Sequence, residues 1–145
     1  MKIFGHPVHI MLIHFPSALF PMDFIYSALG YYTGNASFTD AAFFAVFGGV
    51  ILGGLAIITG AFDLLGIIEN KPLVVKKALI HGGINTTVII GYSVLAFRAY
   101  KEYPDLIQDN VSIFILKGCL VTFMIAGNYL GGSLILKDRV GLENN

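Results

Sequence analysis

The chain has 145 residues, 56% of them hydrophobic and only 12% charged, with a mean hydropathy of +0.77; a soluble domain carries about a quarter charged residues, so this composition describes a membrane protein. Nine basic residues balance nine acidic ones, which removes the basic patch that nucleic-acid binding needs. The lone cysteine, Cys119, lies in an apolar run, which excludes a disulfide framework and a thiolate metal cage.

The chain opens on Gly5-His6-Pro7-Val8-His9-Ile10-Met11-Leu12-Ile13-His14-Phe15-Pro16, which holds three of the four histidines. It leads into the first apolar segment, expected to span the membrane from about Val8 to Tyr32. That segment is long for a signal peptide and lacks an Ala-x-Ala exit, so it is expected to stay in the membrane. Pro7 suits a first helical turn, where a missing N–H costs little. Pro16 and Pro21 fall inside the helix and are expected to kink it. Thr33 to Asp40 reads as a turn-rich connector.

The second span is expected from about Ala41 to Ile68. Gly49, Gly53, Ala56, Gly60 and Asp63 follow at spacings of four, three, four and three, which puts them on one helical face. Such a stripe admits another helix, or a flat cofactor, close to the backbone. Glu69 to Pro72 makes a turn. The third span is expected from about Val75 to Tyr100, with His81 and Asn85 one turn apart on a face that Tyr92 continues. The fourth runs from about Val111 to Leu136 and carries Gly127-x-x-x-Gly131, a second close-packing pair. No internal repeat is evident.

Four spans put the N-terminus, the middle turn and the C-terminus on one side. That side carries Lys2, Lys71, Lys76, Lys77, Lys137 and Arg139, against Arg98 and Lys101 on the other. The bias predicts both termini in the cytoplasm.

This topology gathers the polar residues. His6, His9 and His14 open the first span, Asp63 ends the second, and His81 and Asn85 open the third, all on the same side. At 1.5 Å per residue, His14, Asp63 and His81 lie roughly 6–12 Å in from the rim. Ionisable groups at that depth are costly, which makes them candidates for a functional site. Each one taken singly also has a bland reading, in which it reaches water or a neighbouring helix carbonyl.

Three functional readings fit the set. In the first, haem b takes axial imidazoles from two helices. His14 and His81 are the expected pair, with His9 shallower. Asp63 and Asn85 would orient the rings, Gly53 would make room for the macrocycle, and Arg139, Lys76 or Lys77 would meet the propionates. In the second, His6, His9, His14, His81 and Asp63 supply the ligands of zinc or another divalent ion. The third is an ion or proton path through the same groups. His9 and His14 are about 140° apart around the helix axis, so both reach one centre only if Pro16 or the helix start distorts the turn. Asp23 and Lys117 stand apart, in spans and toward the opposite half. Either they pair, or Lys117 snorkels outward and Asp23 finds a hydroxyl.

The motif Gly-His-Pro-x-His-x-x-x-x-His-Phe-Pro resembles the opening of a widespread bacterial membrane family catalogued as a domain of unknown function, number 2231. The resemblance continues through Gly60-Ala61-Phe62-Asp63, His81-x-x-x-Asn85 and Gly131-Gly132-x-Leu134, then Arg139 and Gly141, and covers nearly the whole chain. It implies a compact four-helix integral membrane domain. Some relatives are fused to Rieske-type iron–sulfur domains, which implies a redox role. The tail departs from the family pattern in its shortened basic stretch.

The expectation is thus an all-α integral membrane four-helix bundle in the lipid bilayer of a bacterial inner membrane. Its expected function is that of a small haem-b-binding electron-transfer subunit. It would pass electrons between a quinone and a Rieske or cytochrome partner, alone, as a homo-oligomer or in a larger complex. The alternatives are a non-haem metal-binding or ion-transport protein, or a structural subunit.

Overall fold

The computed structural model describes residues 2–3 and 6–140, with side chains from Pro7 on. Four helices carry the fold: α1 (Val8–Thr33), α2 (Ala36–Asn70), α3 (Val75–Glu102) and α4 (Val111–Leu136). Before α1, Lys2–Ile3 pairs antiparallel with His6–Pro7. Each long helix is apolar enough to cross a membrane. They pack in a ring, α1 on α2, α2 on α3, α3 on α4 and α4 back on α1. Phe44, Ile51, Ile58, Phe97, Ile115 and Phe123 are all exposed on its outside. Such a surface is an aggregation liability in water and the expected face toward lipid tails.

The connectors follow from local chemistry. Gly34 takes φ 68°, the left-handed conformation that ends α1 and that a Cβ disfavours. The Asn35 side chain then accepts from the Ser37 N–H at 3.0 Å, a helix N-cap. The connector expected over Thr33 to Asp40 is therefore only Gly34 and Asn35. Ser37, Thr39 and Asp40, read as turn residues, form the first turns of α2. A 3-10 turn at Pro72–Val74 joins α2 to α3. Asn110 caps α4 through Ile113 N–H at 3.0 Å. Helix α1 runs unbroken through Pro16 and Pro21.

Phe20, Val46, Val88, Tyr92, Leu95, Leu120 and Met124 form the core. At its centre the rings of Phe20 and Tyr92 stack with centroids 3.8 Å apart. The small-residue stripe of α2 faces inward: a Cβ at Gly49 would strike the Phe20 ring, and one at Gly53 would strike Ile89. These glycines serve close helix packing. Near the chain ends, Ile67, Ala78 and Leu134 form a smaller cluster under Val140.

The hairpins α1–α2 and α3–α4 share one set of contacts, His9 on Ala56 and Gly60 and His81 on Gly127 and Gly131. His9 and His81 are 72 positions apart, as are Pro16 and Val88, and Phe20 and Tyr92. On the second helices, Ala56 and Gly60 correspond to Gly127 and Gly131 at an offset of 71. Most positions at these offsets differ in residue type. Below, the terminal end is the one with the α2–α3 turn and the start of α1; the connector end carries Gly34 and Asn110.

Candidate functional site, a cavity between the hairpins

A cavity of about 720 Å³ opens in the terminal half of the bundle, within the size range of cofactor and ligand pockets. Ile13, Phe20, Ile57, Ile89 and Met124 make much of its wall. His9, Ser17, Asp63, His81, Asn85, Asn128 and Arg139 contribute polar groups.

The two imidazoles are held by the same device. His9 Nδ1 lies 2.8 Å from the Ala56 carbonyl oxygen, and His81 Nδ1 lies 2.8 Å from that of Gly127. A carbonyl only accepts, so each Nδ1 carries the hydrogen, and Nε2 of the neutral ring keeps its lone pair. Each ring lies on a glycine one turn further along the partner helix. A Cβ at Gly60 would come within 2.8 Å of His9 Cε1, and one at Gly131 within 2.6 Å of His81 Cε1. The ring centroids are 6.4 Å apart with planes at 80°.

Asn85 Nδ2 donates to the His81 carbonyl at 3.0 Å and lies 3.2 Å from His81 Nδ1. Because that nitrogen already donates to Gly127, Asn85 acts by packing beside the ring. Gly127 leaves room for it, since a Cβ there would fall 2.7 Å from Asn85 Nδ2. Deeper in the cavity, Asn128 Nδ2 donates to Ser17 Oγ at 3.0 Å.

His14 does not join His81. It is exposed on the outer face of α1, and its Nδ1 donates to Ile10 O in its own helix at 2.7 Å. The reason is the five-residue spacing: α1 stays regular through Pro16, so with His9 turned inward His14 must turn outward. The His6 side chain lies outside the described residues, as does Gly141. Asp63 and Arg139 border the cavity, and Gly53 lies in its wall. Of the cations expected at propionates, Lys76 is exposed and Lys77 is paired with Asp138 at 2.6 Å. Arg139 remains at the cavity, joined by Lys71, whose Nζ donates to the carbonyls of Asp138 and Arg139 at 2.7 and 2.8 Å. Among the described residues, no three His, Cys, Asp or Glu side chains are grouped to hold a metal ion. The expected divalent site of several histidines and Asp63 is therefore not assembled by them.

A second polar cluster lies toward the connector end. Asp23 is 0% exposed and Lys117 5%, and their side chains meet at 2.7 Å. Lys117 also reaches Ser27 Oγ at 2.8 Å and Asp109 at 2.6 Å. Arg98 pairs with Asp109 at 3.2 Å and Glu102 at 3.1 Å. Of the two sequence readings, pairing holds and snorkelling does not. Sequence reasoning missed Ser17, Asn128 and Asp109, which are ordinary polar residues until the fold assigns their neighbours. It marked both small-x-x-x-Gly pairs, Ala56 with Gly60 and Gly127 with Gly131, but assigned neither to a histidine.

The family model described as "Predicted membrane protein (DUF2231)" matches residues 5–144, and the chain belongs to that family. No curated protein and no solved structure matches it.

Proposed function

We propose that this DUF2231 family member is a small haem-b-binding electron-transfer protein in which His9 and His81 would hold the haem iron. The observation that carries the reading is the matched pair of imidazoles, each fixed through Nδ1 to a backbone carbonyl, with Nε2 left able to bind a metal. A backbone carbonyl on the far nitrogen is the usual support of a metal-bound histidine. The ring centroids are 6.4 Å apart, close enough for both imidazoles to reach one bound group.

Among the described residues two imidazoles line the cavity, fewer than the three or four protein ligands a zinc site takes. They suffice for an ion whose remaining ligands come from a macrocycle. The cavity volume and its apolar wall suit such a group, and Arg139 and Lys71 at its border would meet carboxylates. Haem supplies reversible one-electron chemistry when bound. The chain's own contribution is to hold the two rings at fixed spacing, exclude water with Phe20, Ile89 and Met124, and place cations at one edge.

In this reading the protein lies in a bacterial inner membrane with both termini cytoplasmic. It exchanges electrons with a quinone and a Rieske or cytochrome partner. The test is the absorption spectrum of protein purified from haem-replete cells. A b-type spectrum lost in His9→Ala and in His81→Ala, but kept in His14→Ala, supports the assignment. Protein that stays colourless when folded and offered haem removes it.

A further inference from the structure

The cluster at the connector end has no charged counterpart in the other hairpin. At the offsets of 72 and 71, Asp23 of α1 corresponds to Leu95 of α3, and Lys117 of α4 corresponds to Val46 of α2. Leu95 and Val46 are buried, at 8% and 3% exposure. Apolar residues thus fill the matching places in the other hairpin, while this one buries charges, which is costly in a membrane interior.

The charges do not balance. Asp23, Asp109 and Glu102 are three carboxylates, and Lys117 and Arg98 are two cations, joined in one network. Groups facing it from α2 are Thr39, Ala42, Phe43 and Val46, none of them ionisable. From α3 the other titratable group is Tyr92. Two buried polar atoms have no hydrogen-bond partner among the described residues, Asp23 Oδ2 and Tyr92 Oη. Tyr92 stacks on Phe20, and Asp23 is three residues beyond Phe20 on the same face of α1.

We propose that Asp23 is a proton-binding site, loaded from the connector-end surface through the Lys117 and Asp109 cluster. One added proton neutralises the excess carboxylate beside the two unpartnered atoms. A metal cation would require several more oxygens than these two. Access is provided by a small cavity of about 40 Å³ lined by Asp23, Ser27, Arg98, Gln108, Asp109 and Lys117, large enough for water. In the transfer, a hydronium ion from the connector-end surface gives its proton to Asp109 and leaves as water, Lys117 gives a proton to Asp23 Oδ1, 2.7 Å away, and Lys117 regains one from Asp109. No charge is left over beyond the single proton taken up. Phe20 belongs both to this neighbourhood and to the wall of the histidine cavity. A proton here can therefore offset charge placed in that cavity, a consequence that rests on the cofactor reading where the site itself does not.

The test is infrared spectroscopy of the full chain in lipid vesicles at neutral pH, in H₂O and D₂O, which needs no cofactor. A protonated-carboxyl band that shifts in D₂O is expected. It should vanish in Asp23→Asn, and also in Asp109→Asn, where two carboxylates face two cations. Tyr92→Phe should keep the band at a shifted frequency, which preserves the test if Asp23→Asn fails to fold. Absence of the band in the unmodified protein overturns the proposal. So does a band that survives Asp23→Asn, or one that ignores both Asp109→Asn and Tyr92→Phe.

Discussion

His9 and His81 stand across the bundle from each other with ring centroids 6.4 Å apart, each tied through Nδ1 to a carbonyl of the second helix in its own hairpin. Two elements 72 residues apart in sequence thus present equivalent nitrogens to one cavity. Neither ring can turn without losing its hydrogen bond or striking a glycine backbone.

Removing either ring should empty the site. His9→Ala and His81→Ala are each expected to abolish haem content, whereas His14→Ala should leave it within about twofold, because His14 is exposed on the outer face of α1 and bonds Ile10 of its own helix. Asn85→Ala, which loosens the packing beside His81, is expected to weaken binding by roughly ten- to a hundredfold. Haem per protein, by pyridine haemochrome assay on folded material, checks all four.

The glycines under the rings give a paired prediction. A methyl at Gly60 or Gly131 displaces an imidazole, while one at Gly132 meets nothing within 4 Å. Gly60→Ala and Gly131→Ala should therefore lower haem occupancy and shift the spectrum; Gly132→Ala should do neither. Equal spectra for all three would show that the rings do not depend on these contacts.

Gly53 is covered by Ile89 and Pro16, so Gly53→Leu forces backbones apart. Its melting temperature in detergent should fall far more than that of Leu52→Ala. Similar values would place the stripe of α2 toward lipid.

Lys117→Met leaves Asp23 and Asp109 without their shared cation. Breaking a buried pair costs about 3–5 kcal/mol, and thermal unfolding should register a large loss. The double variant Asp23→Leu with Lys117→Val copies the residues found at Leu95 and Val46 in the other hairpin. It should recover most of that stability. If it stays as unstable as Lys117→Met, the charges are structural after all.

Orientation rests on the six-to-two division of basic residues between the two sides. Reporter fusions after Asn145 should be active only in the cytoplasm, and fusions within the connector near Asp109 only outside it. The reverse pattern would invert the assignment of both ends.

The sequence by itself determined the membrane class, the four spans and the inward direction of the α2 stripe. These follow from hydropathy and from spacing along a single helix, and each is a local property. It also brought the histidines to one end, because helix order alone fixes which ends lie together. Tertiary structure decided which histidine faces which. His9 and His14 differ by a rotation about one axis, and the sequence does not say which way α1 is turned; the packing of Phe20, Pro16 and Gly49 does. The same holds for Asp23 and Lys117. Their burial as a pair, and their link to Asp109, depend on how α1 and α4 meet across a distance of more than ninety residues. The contacts the two hairpins share were hidden for a related reason: each joins residues on different helices, and most positions at the same offsets differ in residue type.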